Sequence, residues 1–228
     1  MKLPEPILPL TRYSAGQFVR FFRDRQDAGA RLAERLARYS ARNTLVLGLA
    51  RGGVVVAAEV AKALNVPLDV IAARRLGAPT SHDLAIGAVT ADGGRYYNEA
   101  LIRELAIPRA YVERVTGREM IAAQRQEAAL RSKARPNVTG RSVILVDDGL
   151  ATGAAMIAAT RSVQARYPAR IVVAVPIAAQ APCEELQSEA DEVVCLLTPE
   201  PFWAVGLFYQ DFTQVEDEEV KELLRQVR

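Results

Sequence analysis

Residues Val143 to Met156 read VILVDDGLATGAAM. The apolar run Val143 to Val146 suits a strand buried on both faces, because β-branched residues pack well on a pleated surface. Two adjacent carboxylates, Asp147 and Asp148, follow at once, then a turn of small residues, then a helical pattern with Met156, Ala159, Thr160, Val163 and Tyr167 on one side. Arg170 to Ile177 (RIVVAVPI) returns as a second apolar strand, and Glu192 to Leu197 (EVVCLL) reads as a further buried one. Upstream, Thr44 to Leu49, a helix with Ala57, Val60, Ala61 and Leu64 on one face, and Val66 to Ala73 repeat the pattern. Continuous apolar strands separated by helices predict an α/β fold, a central parallel β-sheet flanked by helices on both faces. Ahead of it, the spacing of Phe18, Phe21, Phe22, Gly29, Leu32, Ala33 and Leu36 predicts an amphipathic helix that ends near the polar cluster 40–43.

The chain has 228 residues, half of them apolar, enough for one sizeable core. Lys and Arg number 29 against 27 for Asp and Glu, so a net charge of +2 offers no bulk attraction for nucleic acid or a membrane surface. Cys183 and Cys195 lie in apolar surroundings without a C-x-x-C spacing, which predicts reduced packing thiols rather than a disulfide or zinc site. The opening MKLPEPILPL is broken by three prolines, unlike a signal peptide, and nothing approaches the roughly 18 apolar residues of a spanning helix. The expectation is a soluble, cytoplasmic protein.

Between the two βαβ units, residues 74–135 break the regular alternation. This segment holds a Gly/Pro/Ser-containing loop, a hairpin signal at Asp92-Gly93-Gly94 and a long charged helix. Glu113, Arg114, Arg118, Glu119, Arg125 and Glu127 read most simply as a solvated face of that helix. At the C-terminal end Thr213 and Glu216 have capping-box spacing, with acids after them and Lys221, Arg225 and Arg228 near the end, as a helix dipole favours.

Ligands of an open parallel sheet collect at the carboxyl ends of its strands, where a helix N-terminus offers unpaired N–H groups to an anion. The turn Gly149 to Ala155 is small enough for its backbone to close around a phosphate, with Thr152 adding a hydroxyl. Two acids beside a phosphate would repel it, unless they face hydroxyl groups or a divalent cation. A sugar phosphate with vicinal hydroxyls and Mg²⁺ meets both demands; the plainer alternative is an Asp pair that caps the next helix. Leu45 to Gly53 (LVLGLARGG) is a second strand-to-helix turn in which Arg51 offers a forked donor and Gly52 and Gly53 allow close approach. It lacks the Lys-Ser/Thr of a P-loop, and no G-x-G-x-x-G fingerprint is present.

The stretch from Val143 to Ala155 resembles the 5-phosphoribosyl-1-pyrophosphate (PRPP) binding motif of the type I phosphoribosyltransferases: apolar strand, two acids, short loop ending in Thr-Gly. That resemblance implies a type I phosphoribosyltransferase fold with a mobile loop and a small hood. Asp147 and Asp148 would hold the ribose 2′ and 3′ hydroxyls, with Mg²⁺ near them directly or through water. Ala151, Thr152, Gly153, Ala154 and Ala155 would cradle the 5′-phosphate. Ala50, Arg51, Gly52 and Gly53 match the family's pyrophosphate loop, and Arg74 and Arg75 begin the mobile loop that closes over pyrophosphate. His82, the only histidine in the chain, falls in that loop and excludes any multi-histidine metal site. Pro199 to Gly206 is similar to the hood, so Phe202 or Trp203 would stack on the acceptor, although an aromatic pair is more often subdomain core.

The pattern also departs from the family. Ala155 stands where many members carry a second hydroxyl, a loss of roughly 1 kcal/mol for one hydrogen bond. Ala151 lacks the acid of some purine-salvage loops, and Gln210 stands where relatives carry an acid, with Asp211 one step late. GLARGGVVVAAEVAKAL and VVCLLTPEPF are similar to a bacterial branch of phosphoribosyltransferases with no assigned acceptor.

The expectation is one phosphoribosyltransferase domain over residues 1–228, with its core at about 15–198, the mobile-loop insertion at 74–135 and the hood at 199–228. The implied reaction is Mg²⁺-dependent transfer of phosphoribose from PRPP to a nitrogen nucleophile, a purine-like base, with release of pyrophosphate. Two rivals share the fold, a PRPP- or nucleotide-sensing regulator without turnover and a sugar-phosphate hydrolase. The expected partners are small molecules, and the exposed long helix and hood favour a homodimer.

Overall fold

The computed structural model describes residues 20–40, 43–82 and 84–227. Side-chain alternation along the strands sets the layering, since successive residues of a strand point to opposite faces. In β1 (Thr44–Leu49) and β6 (Ser142–Val146), Val46, Ile144 and Val146 pack with Leu32 and Leu36 of α1 (Arg25–Leu36) and with the apolar side of α2 (Gly52–Leu64). Their neighbours Leu45, Leu47, Val143 and Leu145 face the other way, onto Met156, Ile157 and Val163 of α5 (Ala154–Gln164). With β2 (Leu68–Ile71), β7 (Arg170–Ile177) and β8 (Glu192–Leu197) they form an all-parallel sheet in the order β2-β1-β6-β7-β8. This is the α/β architecture predicted above.

The chain leaves β1 toward β2 on one side and leaves β6 toward β7 on the other. The carboxyl ends of β1 and β6 therefore flank the switch point of the sheet, where crossovers diverge and open a crevice. Both glycine-containing turns singled out in the sequence start there.

Residues 74–135 hold the expected hairpin and long helix, and the loop expected after Arg74 is in part a strand. They hold most of an antiparallel sheet, β3 (Ala73–Gly77), β4 (Ala85–Thr90) and β5 (Arg95–Tyr97), and the helices α3 (Glu99–Glu104) and α4 (Arg109–Leu130). Leu76, Ile86, Val89, Ile107 and Val115 bury against one another, so the segment has a core of its own. The hairpin at Asp92-Gly93-Gly94 forms as predicted. The strand read as Val66 to Ala73 instead ends at Ile71, because buried Ala72 hands the chain to the second sheet.

Several other expectations are corrected. Phe21 and Phe22 are not helical: their amides donate to the Phe208 carbonyl, and Phe22 bridges Tyr209. Tyr167 lies past the end of α5 at φ 54°, its side chain 79% exposed, because Pro168 cannot continue the helix. β8 is only half-buried, being an edge strand. Glu127 is not on a solvated face; it is 4% exposed, accepts from the Ala72 amide at 3.1 Å and pairs with Arg131 and Arg135. The capping box does not form: Glu216 precedes α7 (Asp217–Gln226), and the Thr213 hydroxyl turns back to Asp211. Cys183, on α6 (Gln180–Leu186), and Cys195 are joined in a disulfide. The β7–α6–β8 crossover folds α6 back over the sheet edge, a proximity that no spacing rule reports. Phe18, Asp83, Arg228 and the opening MKLPEPILPL lie outside the described residues. Among the described residues no helix is long and apolar enough to cross a membrane.

Candidate functional site

At the end of β1 the Ala50–Arg51 peptide is cis, and α2 begins at Gly52. At the end of β6 stand Asp147 and Asp148, both half-buried. The two turns are packed without space for a side chain between them. A Cβ on Gly52 would lie 2.0 Å from Asp148 Oδ2, and one on Gly53 would lie 2.8 Å from Asp147 Oδ1. Two motifs nearly a hundred residues apart in the sequence are thus one site, and glycine is required at 52 and 53 for that approach.

The acids are held from several sides. The Asp148 amide donates to Asp147 Oδ1 at 2.9 Å, and Arg25 Nε, from the first residue of α1, donates to Asp148 Oδ2 at 2.8 Å. The Tyr209 hydroxyl donates to the Asp148 carbonyl at 2.6 Å. Burial raises the Asp147 carboxyl well above its ordinary range, and the charge of Asp148 adds to the rise. Burial raises Asp148 as well, while Arg25 pulls it back down. Burial, with the neighbouring carboxylates, also raises the Tyr209 phenol, which keeps it protonated and a donor. Two close carboxylates with one guanidinium leave the cleft short of positive charge. It is suited to hydroxyl donors and to a further cation.

Beyond the acids, Leu150 is pinned to the carboxyl end of β7. Its amide donates to the Ile177 carbonyl, and its carbonyl accepts from the Ala179 amide, each at 2.9 Å. Ala151 and Thr152 are exposed, and Gly153 turns the chain at φ 71° into α5. That left-handed conformation favours glycine, and Pro182 of α6 lies 3.0 Å from where a Cβ would be. No side chain caps this helix, so the amides of Gly153, Ala154 and Ala155 line the start of α5 as a phosphate nest requires.

The structure brings Gly52, Gly53, Asp147, Asp148 and the start of the turn 149–155 together, but sends the other candidates elsewhere. Arg51 Nε lies 2.7 Å from Asp217 Oδ1 at the start of α7, at an angle that makes no hydrogen bond. Arg74 Nε bonds Glu119 of α4 at 3.2 Å, and Arg75 is exposed on β3. His82 is exposed in the β3–β4 connection, its backbone against Gly77. Phe202 packs on Phe208 with ring centroids 5.3 Å apart, whereas Trp203 is 70% exposed. Val205 covers Gly149, which puts the hood directly over the acidic turn.

Arg25 and Tyr209 escaped the sequence reading. Arg25 had a signal: it lies four residues before Gly29 and seven before Leu32, on the buried stripe of α1. Tyr209 had none, since its role depends on the chain folding back from the end of the sheet.

Among the described residues no group of three or more His, Cys, Asp or Glu is placed to hold a metal. Asp147 and Asp148 do fit Mg²⁺ of the kind that arrives with phosphates, which takes one or two carboxylates and keeps water and substrate oxygens for the rest.

The family model described as phosphoribosyl transferase domain matches residues 23–92 and 90–212. Two curated Mycobacterium tuberculosis proteins, "Putative phosphoribosyl transferase Rv0571c" of strain H37Rv and its MT0597 counterpart of strain CDC 1551, are each 45% identical over 203 residues. The match covers 89% of this chain and 46% of each relative, so the chain spans about half their length. Among solved structures, TT1426 from Thermus thermophilus is similar with a TM-score of 0.75 and 43% identity, over 90% of this chain and 98% of that one.

Proposed function

The chain belongs to the phosphoribosyl transferase domain family, and on that premise we propose that it transfers the phosphoribosyl group of PRPP to a nitrogen nucleophile, a purine-like base. The bond from ribose C1 to the pyrophosphate oxygen breaks, a C1–N bond forms, and the acceptor nitrogen loses its proton. The observation that carries this reading is the contact of Gly52 and Gly53 with Asp148 and Asp147 at the switch point of the sheet. One cleft then holds the three parts of the donor. Asp147 and Asp148 take the ribose diol, the backbone of residues 151–155 takes the 5′-phosphate, and residues 50–53 take pyrophosphate, toward which Arg51, Arg74 and Arg75 must move from the positions they hold here. Trp203, exposed in the hood, is the better placed aromatic for the acceptor. Mg²⁺ supplies charge neutralisation at the departing pyrophosphate. The donor is too highly charged to cross a membrane, which suits a cytoplasmic enzyme, and the exposed Ile121 on α4 suits a homodimer through that helix.

One observation favours the sensing alternative. Arg51 and Arg74, the cations expected at the leaving group, both lie against acids of the protein itself, Asp217 and Glu119. Turnover requires them to be released, whereas a sensor would not. Incubation with PRPP, Mg²⁺ and a panel of nucleobases, read as pyrophosphate release, separates the two. Release with one base establishes the transferase. Tight PRPP binding without release from any base establishes the sensor.

A further inference from the structure

We propose that Arg25 is a positioning residue that couples the C-terminal strap to Asp148, so that the hood and the ribose grip form a single unit. The inference rests on the PRPP reading above and deepens it. The Arg25 side chain is 10% exposed and makes three contacts at once. Its Nε donates to Asp148 Oδ2 at 2.8 Å, another guanidinium nitrogen donates to the Thr213 carbonyl at 2.8 Å, and its central carbon lies 3.8 Å from the Phe212 ring centroid. A planar fork fixes direction as well as charge, so Asp148 Oδ2 and the Thr213 carbonyl are held in one geometry relative to each other.

The strap that Arg25 grasps is itself built onto the acidic turn. Phe212 packs against Gly206, where a Cβ would meet its ring at 2.7 Å, and its ring lies 4.9 Å from that of Tyr209. Tyr209 in turn donates to the Asp148 carbonyl. Residues 206–213 are thus fastened to Asp148 twice, at the main chain through Tyr209 and at the carboxylate through Arg25. Gly52 closes the arrangement, since a Cβ there would lie 2.8 Å from Arg25 Nε. α1, the pyrophosphate turn, the acidic turn and the hood meet at one guanidinium, and a displacement of the strap is carried to the group that grips the sugar.

The test compares Arg25→Lys and Arg25→Gln with wild type and with Asp148→Asn, measuring PRPP·Mg²⁺ affinity by calorimetry and ligand-free melting temperature. Lysine keeps the charge but cannot serve Asp148 and Thr213 with fixed geometry. The expected order of affinity is wild type, then Arg25→Lys weaker by roughly 10-fold, then Arg25→Gln weaker by roughly 100-fold, the range of one charge-assisted bond. Where nucleobase transfer is measurable, the PRPP KM rises more than kcat falls, a split that general loss of fold does not produce. If Arg25→Gln does not fold, Arg25→Lys decides. Wild-type affinity in either folded variant, with Asp148→Asn unable to bind, overturns the role of Arg25 and leaves the PRPP reading standing. PRPP binding undiminished in Asp148→Asn, or absent from wild type, overturns the PRPP reading itself and this inference with it.

Discussion

Replacing Gly52 with alanine adds one methyl group at the point where the two turns meet. The new Cβ would stand 2.0 Å from Asp148 Oδ2, against 3.4 Å at the start of ordinary contact, so about 1.4 Å must be found. The oxygen has little freedom to give way, because Arg25 holds it at 2.8 Å, and the Arg25 Nε is itself 2.8 Å from the same Cβ position. Overpacking of this kind costs roughly 1–3 kcal/mol. Losing a hydrogen bond to a charged group adds roughly 1.5–3 kcal/mol. The two overlap, and a total of about 3–4 kcal/mol lowers the melting temperature by on the order of 10 °C in a domain of this size. The assay is thermal unfolding with and without PRPP·Mg²⁺, since a ligand that binds only the native state raises the midpoint. Gly52→Ala should lose both stability and the ligand-dependent shift. Gly117, on α4, is the internal control: apart from its own stretch of helix, no described heavy atom lies within 4 Å of a Cβ there. Gly117→Ala should gain up to about 1 kcal/mol from helix propensity. A Gly52→Ala protein that melts and responds to PRPP like wild type would refute the packing argument.

Glu127→Ala leaves Arg131 and Arg135 without their shared acid and strands the Ala72 amide, so unfolding in urea should show a loss of about 3–5 kcal/mol; a loss below about 1 kcal/mol would contradict the buried network. Asp92 is raised by burial, but hydrogen bonds from Ser162 and Thr90 and the charge of Arg135 outweigh this and hold its carboxyl below the ordinary 3.8. Its stabilising contribution is therefore present above that value and is lost as pH falls through it to the lower native value, so Asp92→Asn should flatten the acid limb of stability against pH. Trp203→Ala should leave the melting temperature nearly unchanged, as surface substitutions do within about 0.5 kcal/mol, while raising the KM of whichever acceptor is found. Phe202→Ala should instead destabilise by about 2 kcal/mol, because its ring packs on Phe208.

The parallel sheet, the hairpin and the acidic turn were legible because each depends on local pattern: apolar runs, Asp-Gly-Gly, and a strand that ends in acids and small residues. What was not legible depends on pairs brought together by topology. Cys183 and Cys195 meet through a crossover, and Phe22 and Tyr209 meet because the segments ahead of α1 and ahead of α7 run side by side. Arg25 and Glu127 are the instructive cases: the sequence reading passed over the first and set the second on a solvated face, yet the helix register puts both on buried stripes. Glu127 lies four residues after Ala123 and three before Leu130, all buried, as Arg25 leads into Gly29, Leu32 and Leu36. A charge on an apolar stripe faces inward whatever its hydration favours, and the cost of desolvating it alone is several kcal/mol. Such a residue must find a partner, and the partner need not be near in sequence. For Arg25 it is Asp148, 123 residues on. The helix register thus determines that a buried counterion exists, and only the assembled sheet determines which one.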